Sequence, residues 1–99
     1  MKKVVLISRK SGQTDSFMTA VNLAAEKGDF GFEVKLALHP KHIEVIEEFN
    51  PEFAIISPEM IVWPAEVEKY LKEKNIPYIT AKGSHYGTRQ VAKIFELVK

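Results

Sequence analysis

Short apolar runs alternate along this chain with segments whose apolar residues recur every three or four positions, and that alternation limits it to very few folds. The first run, KVVLIS at 3–8, is β-branched, continuous and stopped by polar turn residues, as expected of a central strand buried on both faces. From Thr14 the period changes: Phe17, Val21, Ala24 and Ala25 mark a helical stripe, and Gly28 supplies its stop. FEVKLAL at 32–38 alternates, with Phe32, Val34, Leu36 and Leu38 on one side, which predicts a half-exposed strand at a sheet edge. Beyond Pro40, the spacing of Ile43, Ile46 and Phe49 predicts a short helix ended by Asn50-Pro51.

FAIIS at 53–57 is a second continuous run, followed by a loop, SPEMIVWP. Pro64 suits the first turn of a third helix with Val67, Tyr70 and Leu71 as its buried stripe and Asn75 at its end. Tyr78 to Thr80 reads as a fourth strand and AKGSHYG at 81–87 as a loop. Val91, Ile94, Phe95 and Val98 form the inner stripe of a last helix beginning near Thr88.

The predicted order is βαβαβαβα in 99 residues, the size of a single domain with one small core. Such alternation predicts a three-layer α/β fold, a four-stranded parallel sheet in the order 2-1-3-4 with helices on both faces. In such sheets ligands bind beyond the carboxyl ends of the strands, where the strand order reverses. That point is the turn SRKSGQTDS, residues 8–16.

Charge narrows what the turn can serve. With 14 basic and 13 acidic residues the net charge is +1, so no global field recruits nucleic acid or a lipid surface, and any basic patch is local. No cysteine is present, which removes disulfides, thiolate metal sites and thiol nucleophiles together. No metal or other cofactor is expected, because neither His39 nor His85 has a second ligand at metal-site spacing. The longest apolar run is too short to span a bilayer and MKKVVLIS has no leader pattern, so a cytoplasmic protein without membrane insertion is expected.

At a helix N-terminus the first N–H groups lack internal partners and the helix dipole favours negative charge. Residues 11 to 16 would wrap such donors around an oxyanion, with hydroxyls from Ser11, Thr14 and Ser16, the side chains of Gln13 and Asp15 close by, and Gly12 allowing close approach or a positive φ. Arg9 and Lys10 add cations, and Arg9 can hold a phosphate bidentately. Ser57, Glu59, Lys82, His85 and Tyr86 lie on the other loops of this rim, with His39 and Arg89. The plainer reading makes Thr14 or Asp15 an N-cap, Gly12 a turn residue, Arg9 and Lys10 a solvated pair, Glu59 a solvated loop acid and Trp63 a lid over the core.

These residues resemble the lactose/cellobiose-type IIB component of the bacterial phosphoenolpyruvate-dependent sugar phosphotransferase system. Its phosphate loop after the first strand reads Cys-x-x-Gly-Met-Ser-Thr-Ser-Leu, and with Gly12 on the motif glycine, Gln13, Thr14, Asp15, Ser16 and Phe17 follow in register. The family's Gly-Pro-Gln after the third strand is similar to Ser57-Pro58-Glu59, and its later Pro and Tyr-Gly match Pro77 and Tyr86-Gly87. The resemblance spans the whole chain and implies a sugar-transport module with a IIA donor and a membrane IIC acceptor as partners. It also implies a phosphocysteine, and that position falls on Arg9. A guanidinium stays protonated and offers no lone pair, so the family's thiophosphate chemistry is absent. The expectation is therefore a IIB-like binding or regulatory module that engages phosphate or a phosphorylated small molecule.

Two alternatives remain. Phosphoryl transfer could run through another acceptor, Ser8 or His39. A second resemblance, of Ser11-Gly12-Gln13-Thr14-Asp15 to the flavodoxin loop Thr-Gly-Asn-Thr-Glu, would make the chain a small flavin-phosphate binder, with Trp63 and Tyr86 on the loops that hold the ring.

Overall fold

The computed structural model describes residues 2–27, 31–39, 41–60, 64–88, 90–96 and 98. Strands β1 (Lys2–Ser8), β2 (Phe32–Leu38), β3 (Phe53–Ile56) and β4 (Tyr78–Thr80) form one sheet in the order β2-β1-β3-β4. All its pairings are parallel, with Leu6 opposite Leu36 on one side and Ile55 on the other. Helices α1 (Gly12–Glu26), α2 (His42–Phe49), α3 (Pro64–Glu73), α4 (Gly83–Gly87) and α5 (Val91–Glu96) connect and follow the strands, with a 3₁₀ turn at Pro58–Met60. The α/β architecture and strand order expected from the alternation are those observed. Gly28, Pro40, Trp63 and Arg89, to which the sequence assigned a helix stop, a helix start, a lid and a rim cation, lie outside the described residues.

Strand alternation splits the core into two layers. Val4 and Leu6 face one side with Phe17 and Val21 of α1, Phe53 and Ile55 of β3, and Ile94 and Phe95 of α5. Val5 and Ile7 face the other with Ile46 of α2, Ile56 of β3, and Val67 and Leu71 of α3. Val4, Val5, Leu6 and Ile7 have no exposed surface, which is why this strand reads as an unbroken apolar run. β2 is an edge strand with Glu33 and Lys35 exposed, and such charges discourage a further strand from adding there.

Three elements differ from the sequence expectation, among them α5, which begins at Val91 and not near Thr88. Residues 83–87 are not loop but the short helix α4, whose His85 and Tyr86 amides both bond the Lys82 carbonyl. The polar, glycine-flanked composition hid it, and the helix is held by Tyr86, whose ring stacks on Phe17 at 4.6 Å. α1 begins at Gly12, ahead of the first apolar residue of its stripe.

Candidate functional site

The carboxyl ends of the strands bring the predicted loops together. His39 N–H bonds the Ser8 carbonyl (2.8 Å), Ser57 N–H the Ile7 carbonyl (2.9 Å) and Ala81 N–H the Ile56 carbonyl (2.9 Å), which stitches the exits of all four strands into one rim. Arg9, Lys10 and Lys82 are exposed on it, and His39 and His85 are half-buried.

Ser11, not Thr14 or Asp15, caps α1. Its backbone is extended (φ −161°, ψ 164°) and its Oγ accepts from the Thr14 N–H at 3.1 Å. Gly12 is the first helical residue and is absent from the positive-φ glycines, so the left-handed turn considered for it does not form. An added Cβ there would meet nothing within 4 Å, whereas one on Gly87 would stand 2.9 Å from Gln13 Nε2. The N–H groups of Gly12 and Gln13 have no hydrogen-bond partner among the described residues, as expected for the first helical turn. Asp15 and Ser16 are exposed in the same helix, and the Asp15 carbonyl accepts from Thr19 Oγ1.

Beneath this loop lies a buried cluster of hydroxyls. Thr14 Oγ1 is its hub, 2.6 Å from Glu59 Oε1, 2.8 Å from Ser8 Oγ and 2.9 Å from Tyr86 Oη. Ser8 Oγ is in turn 2.7 Å from Ser57 Oγ, which accepts from the Glu59 N–H at 3.3 Å. Ser11 Oγ donates to the same Glu59 oxygen at 2.7 Å. A carboxylate only accepts, and each hydroxyl has one proton, so the directions follow. Thr14 donates to Glu59 and accepts from Ser8 and Tyr86, and Ser8 accepts from Ser57. Along these short bonds the donations run toward Glu59, while Ser8 Oγ also has a longer contact, 3.4 Å, with the Arg9 carbonyl.

This changes how three of the expected rim residues are read. Ser57 and Tyr86 lie on the rim loops by their backbone, but their side chains are 1% and 0% exposed because both point inward to the cluster. Glu59 is not a solvated acid without a partner. Its carboxylate sits against the α1 N-terminus, with Arg9 Nε 3.9 Å from its second oxygen. That ion pair is long, and the Arg9 side chain is 57% exposed, so the pair contributes little to stability. Glu59 lies 48 residues from Ser11, and a matching Ser57-Pro58-Glu59 motif was the signal that could have placed it here.

His42, which sequence reasoning passed over, is buried at the start of α2. Its ring stacks on His39 at 5.2 Å and its Nδ1 has no hydrogen-bond partner. Burial pushes the imidazole below its usual pKa; the nearby His39 acts in the same direction, and the Glu66 carboxylate opposes both. Among the described residues no three metal-ligating side chains converge. Two surface grooves lie away from the loop. One of about 450 Å³ is lined by Ile46, Glu52, Tyr70 and Ile76, and burial together with Glu47 raises the Tyr70 pKa. The other, about 460 Å³, lies between Leu23 of α1 and Val91 of α5.

No protein-family model matches the sequence, and no curated protein matches it. Among solved structures, the chain is similar to the lactose-specific IIB component domain of the phosphoenolpyruvate:carbohydrate phosphotransferase system from Streptococcus pneumoniae. The TM-score is 0.74 at 16% identity, covering 98% of this chain and 93% of that one. The chain therefore has the IIB-type fold. No helix among the described residues is long and apolar enough to cross a membrane.

Proposed function

We propose that this protein is a cytoplasmic IIB-like module of a sugar phosphotransferase system of the lactose/cellobiose type, which binds a phosphoryl group reversibly at the α1 N-terminus instead of carrying it on a cysteine. One observation carries the reading: in a IIB-type fold without any cysteine, the open amides of Gly12 and Gln13 share the carboxyl edge of β1 with Arg9 and Lys10. Unpaired N-terminal amides, the helix dipole and two cations are the ingredients of a phosphate site. Its partners would be a phosphorylated IIA protein, a membrane IIC component or a free sugar phosphate.

Covalent transfer through the loop is disfavoured by the chemistry of its residues. Arg9 has no lone pair to attack with. Ser8 has no exposed surface, and its hydroxyl both accepts from Ser57 and donates to Thr14, so no base stands ready to activate it.

Titration of the protein with inorganic phosphate and with sugar phosphates, followed by amide chemical shifts, tests the proposal. Gly12 and Gln13 amides should move, binding should weaken as salt is raised, and Arg9→Ala should lower the affinity about tenfold, the loss of roughly one exposed charge-assisted bond. Incubation with a phosphorylated IIA protein should leave the mass unchanged. Loop amides that stay still with every ligand would overturn the proposal.

A further inference from the structure

The donors best placed to hold an anion at this loop are already holding one. Ser11 Oγ and Thr14 Oγ1 both give their single proton to Glu59 Oε1, and Arg9 faces Glu59 Oε2. We propose that Glu59 is a built-in occupant of the anion loop, an intramolecular carboxylate that a phosphoryl ligand must displace. The inference rests on the anion-binding reading above and adds how that site is controlled.

Three features make the contact a competitor more than a fixed brace. First, the charges match: a phosphoryl dianion and a carboxylate seek the same donors, and the two repel when brought side by side, so joint occupancy is unfavourable. Second, the carboxylate can leave without unfolding its support. Glu59 stands in the 3₁₀ turn Pro58–Met60, between Ser57 and Met60, which are 1% and 0% exposed and pin the backbone on both sides. Only the torsions of one glutamate side chain need change. Third, the hydroxyl relay behind the loop accepts the exchange. Ser57 donates to Ser8, and Ser8 and Tyr86 donate to Thr14, whose own proton must end on an acceptor. An incoming oxyanion supplies acceptor oxygens where the carboxylate had been, and every upstream bond keeps its direction. The open amides of Gly12 and Gln13 offer a first contact before the carboxylate has moved.

The expected ligand is thus an oxyanion that only accepts, with enough charge to compete with a tethered carboxylate. A phosphate dianion fits better than a neutral sugar hydroxyl. The apparent affinity would be the intrinsic affinity of the loop reduced by the fraction of molecules in which Glu59 is swung away.

The test compares wild type with Glu59→Gln and Glu59→Ala, each titrated with inorganic phosphate at fixed salt and read at the Gly12 and Gln13 amides. Glu59→Gln should bind about tenfold tighter and Glu59→Ala tighter still, because the first keeps an acceptor in place and the second leaves none. If Glu59→Ala does not fold, judged by its urea transition, Glu59→Gln decides alone, since it preserves volume and an accepting oxygen. Equal or weaker phosphate binding in the variants, with wild type binding, overturns the occupant role and leaves the anion site standing. No amide movement in any of the proteins overturns both.

Discussion

At the scale of single residues, Thr14 carries more of the site than any other side chain. It is fully buried, and its hydroxyl makes one donated and two accepted bonds, so none of its hydrogen-bonding capacity is left over. Replacing it with Val keeps the shape but leaves the protons of Ser8 and Tyr86 only long 3.4 Å contacts, Ser8 with the Arg9 carbonyl and the two hydroxyls with each other, and takes a donor from Glu59. A buried group left unpaired costs about 1–3 kcal/mol, so Thr14→Val should destabilise by at least about 2 kcal/mol. Tyr86→Phe is the informative contrast. It removes a donor and leaves only an unfilled lone pair on Thr14, while the ring keeps its stack on Phe17, so a loss of about 1 kcal/mol or less is expected. Urea titrations of both variants measure the difference. A Tyr86→Phe loss equal to that of Thr14→Val would mean that the Tyr86 hydroxyl, through its further contact with Ser8 Oγ, matters to the cluster as much as Thr14 does.

At the scale of elements, helix ends place the loops. α1 starts where Ser11 turns its hydroxyl back onto the Thr14 amide, and this same residue hands its proton to Glu59, so cap and site are one structure. At the opposite edge of the sheet α2 terminates on Asn50 in the left-handed conformation (φ 53°), its N–H bonding the Ile46 carbonyl, and Asn75 after α3 does likewise (φ 58°). Asparagine tolerates this region and glycine is at ease in it, whereas a Cβ on most residues is crowded there. Asn50→Ala should therefore cost about 1 kcal/mol, with Asn50→Gly within about 0.5 kcal/mol of wild type. Thermal unfolding of the pair checks this, and equal losses would show that side-chain contacts of Asn50, not its backbone angle, hold the helix end.

At the scale of the whole molecule, β1 and β3 lie between two apolar layers, and global stability carries a pH signature from one buried ring. Burial and the neighbouring His39 lower the pKa of His42 in the folded protein, with Glu66 only partly offsetting them. Unfolding returns the imidazole to its ordinary value of about 6.5, so below that pH the unfolded chain binds more protons than the folded one. Stability from this group is therefore complete above about pH 6.5 and is lost as the pH falls through that value toward the lowered folded one. Urea midpoints measured between about pH 7.5 and 5.5 should decline in wild type and decline less in His42→Gln; parallel curves would show that His42 does not set the dependence. The sequence by itself determined the order of the four strands and of helices α1, α2, α3 and α5, the central place of β1 and the position of residues 8–16 at the switch point, but not the short helix α4. Hydrophobic period is a local property, and right-handed crossovers leave few ways to assemble it. Only the tertiary structure decided that Ser11 is the cap, that Ser57 and Tyr86 turn inward, that His42 is buried and that Glu59 reaches the loop. Those outcomes depend on which side chains meet when separate strand exits converge, as when Tyr86 reaches back 72 residues to Thr14. A hydroxyl or carboxylate is chemically able to bond any of several neighbours, and its spacing along the chain does not record which one the fold will bring within 3 Å.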